Sequence, residues 1–154
     1  MASLKILVDA DACPVKDEVY KVALRRGVRV TVVANMALRV PPHPLIGRVV
    51  VSDGFDAADD WIAAEADATT VVITGDILLA ERCLKAGAVV IAHNGKPFTL
   101  ASIGSAIATR AIMADLRAGA DGITGGPPPF AKADRSRFLS ALDEALVRLA
   151  RSLR

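Results

Sequence analysis

Asp9 and Asp11 stand two residues apart in Val8-Asp9-Ala10-Asp11-Ala12-Cys13-Pro14, directly after the apolar run Leu4 to Val8. Asp76 closes a second apolar run in the same manner, in Val71-Val72-Ile73-Thr74-Gly75-Asp76. A third acidic group, Asp56, Asp59 and Asp60, has spacings of three and four residues, so its members share one face of a helix. Two unit charges about 4 Å apart repel by roughly 4 kcal/mol at an effective dielectric of 20, so converging carboxylates require a cation or a shared proton. Mg²⁺ or Mn²⁺ is the expected cation, because such ions take oxygen ligands and retain waters that a substrate can replace. The chemistry this implies is polarisation of a phosphoryl oxygen and in-line attack by an oriented water.

Each acid also has a plainer reading. Asp56, Asp59 and Asp60 fall in the first turns of a helix, where capping and the macrodipole favour acids without any metal. Asp11 could cap the helix that starts near Pro14. An acid that ends an apolar parallel strand gains little structurally, so Asp9 and Asp76 carry more of the functional reading.

Other polar residues extend the candidate site. Asn35 follows the run Val30 to Ala34, and Arg39 lies in a proline-stiffened loop from which a guanidinium could clamp a phosphate bidentately. Thr74 and Gly75 permit a ligand to approach the backbone beside Asp76. Gly125, Gly126 and the three prolines that follow could close a lid or simply make a turn. Arg110, Arg117, Arg135 and Arg137 could line a nucleic-acid groove or form a solvated face. Cys13 precedes a helix, where its thiol could ionise, but the arginine of a cysteine phosphatase would fall on Val19. His43 and His93 lie far apart in turn-rich segments and offer no histidine-based metal site or triad.

The elements that must position these groups alternate. Leu4–Val8, Val28–Ala34, Arg48–Val51, Val71–Thr74 and Ala88–Ala92 read as strands. Pro14–Arg26, Asp56–Ala66, Ile77–Ala86 and about Leu100–Arg117 read as helices, and an arginine-rich amphipathic helix occupies about 131–153. Alternation of this kind predicts an α/β fold whose largely parallel sheet is covered by helices on both faces. Ligands bind such sheets beyond the carboxyl ends of the strands, which is where Asp9 and Asp76 emerge.

With 154 residues, 53% of them hydrophobic, the chain is read as one domain. The 19 Lys and Arg against 17 Asp and Glu give a net charge of +2, too little to attract nucleic acid through bulk charge alone. Cys13 and Cys83 form no zinc or disulfide pattern. With no signal-peptide pattern and no apolar run of membrane-spanning length, a cytoplasmic protein without a membrane partner is expected. Nothing in the pattern specifies or excludes a homo-oligomer.

Several segments together, Val-Asp-Ala-Asp-Ala-Cys-Pro at 8–14, Val-Ala-Asn at 33–35, Leu-Arg-Val-Pro-Pro at 38–42, Gly-Phe-Asp-Ala-Ala-Asp at 54–59 and Thr-Gly-Gly-Pro-Pro at 124–128, resemble the YaiI/YqxD family of uncharacterised bacterial proteins. The resemblance covers nearly the whole chain. It implies a three-layer PIN-like, NYN-related domain, a class whose characterised members cut RNA or other nucleic acid with clustered acids and a divalent metal. By position, that acidic site falls on Asp9, on Asp56 with Asp59 or Asp60, and on Asp76, while Asp11 belongs to the family's own motif. The chain departs from the usual pattern in carrying Asp60 in place of Asn, and Thr-Gly-Asp-Ile-Leu-Leu-Ala at 74–80 in place of Thr-Ala-Asp-Ile-Pro-Leu-Ala.

Three functions follow as expectations. The first is metal-dependent hydrolysis of a phosphodiester, with RNA favoured. The second is a haloacid-dehalogenase-like phosphatase that uses Asp9 as nucleophile and Asp11 as acid/base, although the second strand ends in Ala34-Asn35 rather than Ser or Thr. The third is a non-catalytic module that binds RNA or a protein through the same crevice.

Overall fold

The computed structural model describes residues 3–11, 13–52, 54, 56–105, 108 and 130–153. Five strands, β1 (Lys5–Asp9), β2 (Arg29–Ala34), β3 (Ile46–Val50), β4 (Thr70–Ile73) and β5 (Val89–Ile91), form one sheet in the order β3-β2-β1-β4-β5. Every pairing is parallel. The helices are α1 (Lys16–Arg26), α2 (Ala57–Glu65), α3 (Ile77–Lys85), α4, described over 100–105, and α5 (Lys132–Ser152). Residue 108 apart, the remainder of the helix expected to about Arg117, together with Arg110, Gly125, Gly126 and the prolines after them, lies outside the described residues.

Two apolar layers explain why the strands are Val- and Ile-rich rather than alternating. Ile6 and Val8 of β1 face a core built with Val19, Val22 and Ala23 of α1 and Phe138, Leu142 and Leu146 of α5. Leu7, between them, faces the opposite core, with Ala58 and Ile62 of α2, Leu79 and Cys83 of α3, and Ile103 of α4. A strand buried on both faces has no polar side to display. The result is the three-layer α/β arrangement expected from the sequence, and it is consistent with a PIN-like fold.

Some boundaries move. β3 starts at Ile46, two residues before the apolar run at Arg48, because pairing with Val30 and Thr31 recruits Ile46 and Gly47 into the edge strand through backbone hydrogen bonds. α1 starts at Lys16 rather than Pro14, and it ends at Gly27, whose φ of 66° is the left-handed turn that glycine takes at little cost.

Among the arginines of α5, Arg135 ties the helix to α1 and the loop before it, and Arg137 pairs within the helix. Arg135 donates to the Pro14 carbonyl at 2.6 Å and pairs with Glu18 at 3.1 Å, while Arg137 pairs with Asp134. Arg25 and Arg26 of α1 both reach Asp143 of α5. Among the described residues no helix is long and apolar enough to cross a membrane.

Candidate functional site

Reading along the sheet, the strand order reverses between β1 and β4, and loops leaving neighbouring strands in opposite directions open a crevice at that step. Side-chain alternation puts Asp9 on the same face as Leu7, the face covered by α2 and α3. Val8 is in register with Ile73, so the next step along the two strands sets Asp9 beside Thr74. The Thr74 hydroxyl donates to Asp9 Oδ2 at 2.9 Å and accepts from the Asp76 amide at 3.0 Å. Thr74 is fully buried and Asp9 is 9% exposed. Burial raises the Asp9 pKa above its ordinary value, partly offset by the bond from Thr74, and the charges of Asp11 and Asp76 push in the same direction as burial.

Asp76 has a structural duty as well. It caps α3, one carboxylate oxygen accepting from the amides of Leu78 at 2.9 Å and Leu79 at 3.2 Å. Asp56 occupies the corresponding position ahead of α2 but makes no side-chain cap bond, so its carboxylate is not committed to the helix.

Asp59 is the most perturbed acid. Its pKa is pushed up to about 6, first by burial and then by the negative charges of Asp76, Asp9 and Asp56, against a smaller opposing pull from Arg82. Asp60, one residue on, is exposed and ion-paired to Arg82 at 2.9 Å. The helix thus turns Asp59 towards the other acids and Asp60 towards α3.

These groups line a cleft of about 1050 Å³. Of the residues singled out in the sequence, Asp9, Asp11, Asp56, Asp59, Asp76 and Asn35 border it. Asp60, Arg39 and Thr74 do not: Asp60 is outside, Arg39 is exposed beyond Leu38, and Thr74 lies beneath Asp9. Arg48 takes the carbonyl of Leu38, which ties the Arg39 loop back to β3. Among the described residues no three Asp, Glu, His or Cys side chains are gathered closely enough to hold a metal ion between them as they stand.

Two further residues line the cleft, Lys16, which the sequence reading did not single out, and His93, which it set aside. Lys16, the first residue of α1, brings a positive charge to the cleft, and His93 stands just after β5. The only sequence signal for either was its place, next to a helix start or a strand end. The Nε2 atom of His93 is buried without a hydrogen-bond partner, and burial lowers the pKa of the ring, which keeps it neutral. Cys13 is buried and its thiol pKa is raised, the reverse of what a nucleophilic cysteine needs. His43 accepts a 3.0 Å bond from the Leu45 amide and serves its own turn.

A parallel three-layer α/β domain with an acidic cleft at the switch point of its sheet is the class that this fold and site define. The chain belongs to the YaiI/YqxD family, whose model, described as "Uncharacterized BCR, YaiI/YqxD family", matches residues 7–148. It is 72% identical over 153 residues to the UPF0178 protein of Sphingopyxis alaskensis, covering 99% of both chains. It is also 59% identical over 152 residues to the UPF0178 protein of Nitrobacter winogradskyi, covering 99% of this chain and 96% of that one. A UPF0178 protein of Bradyrhizobium diazoefficiens is 60% identical over 147 residues, 96% of this chain and 87% of the other. No solved structure matches the chain.

Proposed function

We propose that the protein is a divalent-metal-dependent phosphodiesterase that acts on RNA in the cytoplasm. The observation that carries this reading is one cleft lined by five carboxylates, Asp9, Asp11, Asp56, Asp59 and Asp76, with burial and the neighbouring acids pushing the Asp59 pKa up to about 6. Carboxylates placed so that they repel one another are costly unless a cation joins them. The donors are hard oxygens with no thiolate or paired imidazoles among them, a set that suits Mg²⁺ or Mn²⁺ better than zinc. Mg²⁺ is commonly held by one or two carboxylates and keeps several waters, so an open cleft of separated acids fits it where a closed cage would not.

One or two of Asp9, Asp59 and Asp76 would hold the ion directly, and the remaining acids of the cleft, Asp56 and Asp11 among them, would act on its water shell. When bound, the ion supplies Lewis-acid polarisation of a phosphoryl oxygen. Thr74 fixes the rotamer of Asp9 by donating to it, and the α3 amides fix that of Asp76. With both acids clamped, little reorganisation is left for the reaction to bear. Both cysteines are buried free thiols, in keeping with a reducing compartment.

The test is Mn²⁺-dependent cleavage of a labelled RNA and DNA panel by wild type and by Asp9→Asn. Loss of RNA cleavage in the variant supports the reading. Equal cleavage by both would identify a contaminant and remove the catalytic assignment, and RNA binding without cleavage would leave a module that only holds nucleic acid. Calorimetric titration with Mn²⁺ gives a first answer, since no heat above background removes the metal.

A further inference from the structure

Lys16 is the one Lys or Arg among the described residues that line the acidic cleft. It is half-buried, yet among the described residues no carboxylate lies within the 4.0 Å of an ion pair with it. Arg82 and Arg135 are committed elsewhere, to Asp60 and to Glu18. The ammonium is felt by Cys13 ahead of any other charge, which places it near the mouth of the β1–α1 loop. A lysine that shares a cleft with five carboxylates and forms an ion pair with none of them is available to a ligand.

The need for such a charge follows from the substrate. A phosphodiester entering this cleft meets the acids Asp9, Asp11, Asp56, Asp59 and Asp76, all of which repel it. A metal ion answers the acids and the attacked phosphate, but a nucleic-acid chain carries a charge at every linkage. Lysine binds phosphate as a compact point charge on a flexible stem, which tolerates a backbone that shifts between bound states.

We propose that Lys16 is the phosphate-contacting residue of the cleft, its ammonium pairing with a non-bridging oxygen of the bound RNA backbone. The proposal rests on the phosphodiesterase reading. It adds the residue that receives the polyanion on the otherwise acidic side of the cleft. Lys16 holds and orients the chain and takes no part in moving protons.

The test measures binding of a labelled single-stranded RNA to the full chain by fluorescence anisotropy, in EDTA so that cleavage does not intervene, over a series of NaCl concentrations. Each phosphate contact to a single strand contributes about 0.7 to the slope of log K against log salt. Lys16→Met is expected to lower that slope by about 0.7 and weaken binding several-fold, and Lys16→Arg to restore both. Lys21→Met, an exposed α1 lysine outside the cleft, should leave the slope unchanged. Thermal melts of all three variants should match wild type. A wild-type slope in Lys16→Met, or an equal loss in Lys21→Met, overturns the assignment of Lys16 and leaves the phosphodiesterase reading standing. Failure of the wild-type protein to bind RNA at any salt, in EDTA and again with Ca²⁺ in its place, overturns both.

Discussion

Thr74 and Asp9 meet across the β1–β4 step of the sheet, the buried threonine hydroxyl donating a 2.9 Å hydrogen bond to a carboxylate that is 9% exposed. Because the same hydroxyl accepts from the Asp76 amide, Thr74 joins the acid that ends β1 and the acid that caps α3 into one unit. Thr74→Val preserves the shape and removes the hydroxyl. A buried carboxylate deprived of its donor costs roughly 1–3 kcal/mol. Urea unfolding of the variant should register that loss, and the Asp9 pKa, followed by NMR, should climb above its wild-type value. An unchanged unfolding midpoint would show the bond to be energetically idle.

Asp59 gives the protein a pH dependence of defined sign. Its folded pKa of about 6 stands above the ordinary 3.8, so between those values the folded state keeps a proton that the unfolded state has released. Stability from this group is fully present below 3.8 and is lost as pH rises through about 6. Asp59→Asn, neutral throughout, should therefore be more stable than wild type above that range and gain nothing below it. Allowing for solvent screening of a half-exposed group, the gain should be on the order of 1 kcal/mol. Thermal melts across the range measure it, and a constant offset at every pH would contradict the electrostatic origin.

The two neighbouring acids of α2 should separate cleanly. Asp60→Asn breaks only an exposed pair with Arg82, worth about 0–1 kcal/mol, and should leave the heat of Mn²⁺ titration as in wild type. Asp59→Asn should abolish that heat. If Asp60→Asn also loses it, the cleft extends further along α2 than the geometry places it.

Gly95 tests how α5 is docked. Its φ is 88°, and a Cβ there would lie 2.7 Å from the Arg137 carbonyl oxygen and 3.0 Å from the Phe138 amide. Gly95→Ala combines a left-handed backbone cost of about 1–2 kcal/mol with a clash against helix backbone, so a total loss of at least ~2 kcal/mol is expected. A melt within a degree or so of wild type would mean that α5 slides freely over the turn after β5.

The phosphatase alternative makes a covalent prediction. If Asp9 were a nucleophile, incubation with an acyl-phosphate analogue would label it. Asp9 is buried and bonded to Thr74, with its pKa raised, so no label above background is expected by mass spectrometry.

The sequence by itself determined the alternation of strands and helices, and it placed Asp9 and Asp76 at strand ends. Both are local facts: an apolar run buried on two faces stops where a charge appears. It could not choose between Asp59 and Asp60, which satisfy the helical spacing from Asp56 equally well. The choice came from the packing of α2 beside α3, where Arg82 takes Asp60 and leaves Asp59 to the cleft. Thr74 read as a substrate contact because it adjoins Asp76. The parallel register of β1 and β4 instead turns it beneath Asp9. Lys16 and His93 carried no spacing signal beyond their places at a helix start and after a strand, and what brings His93 beside the acids is the order β3-β2-β1-β4-β5, which no local pattern encodes. Periodicity records which side of its own element a residue occupies. Only the tertiary fold, through strand order and helix packing, decides which other elements that side will face.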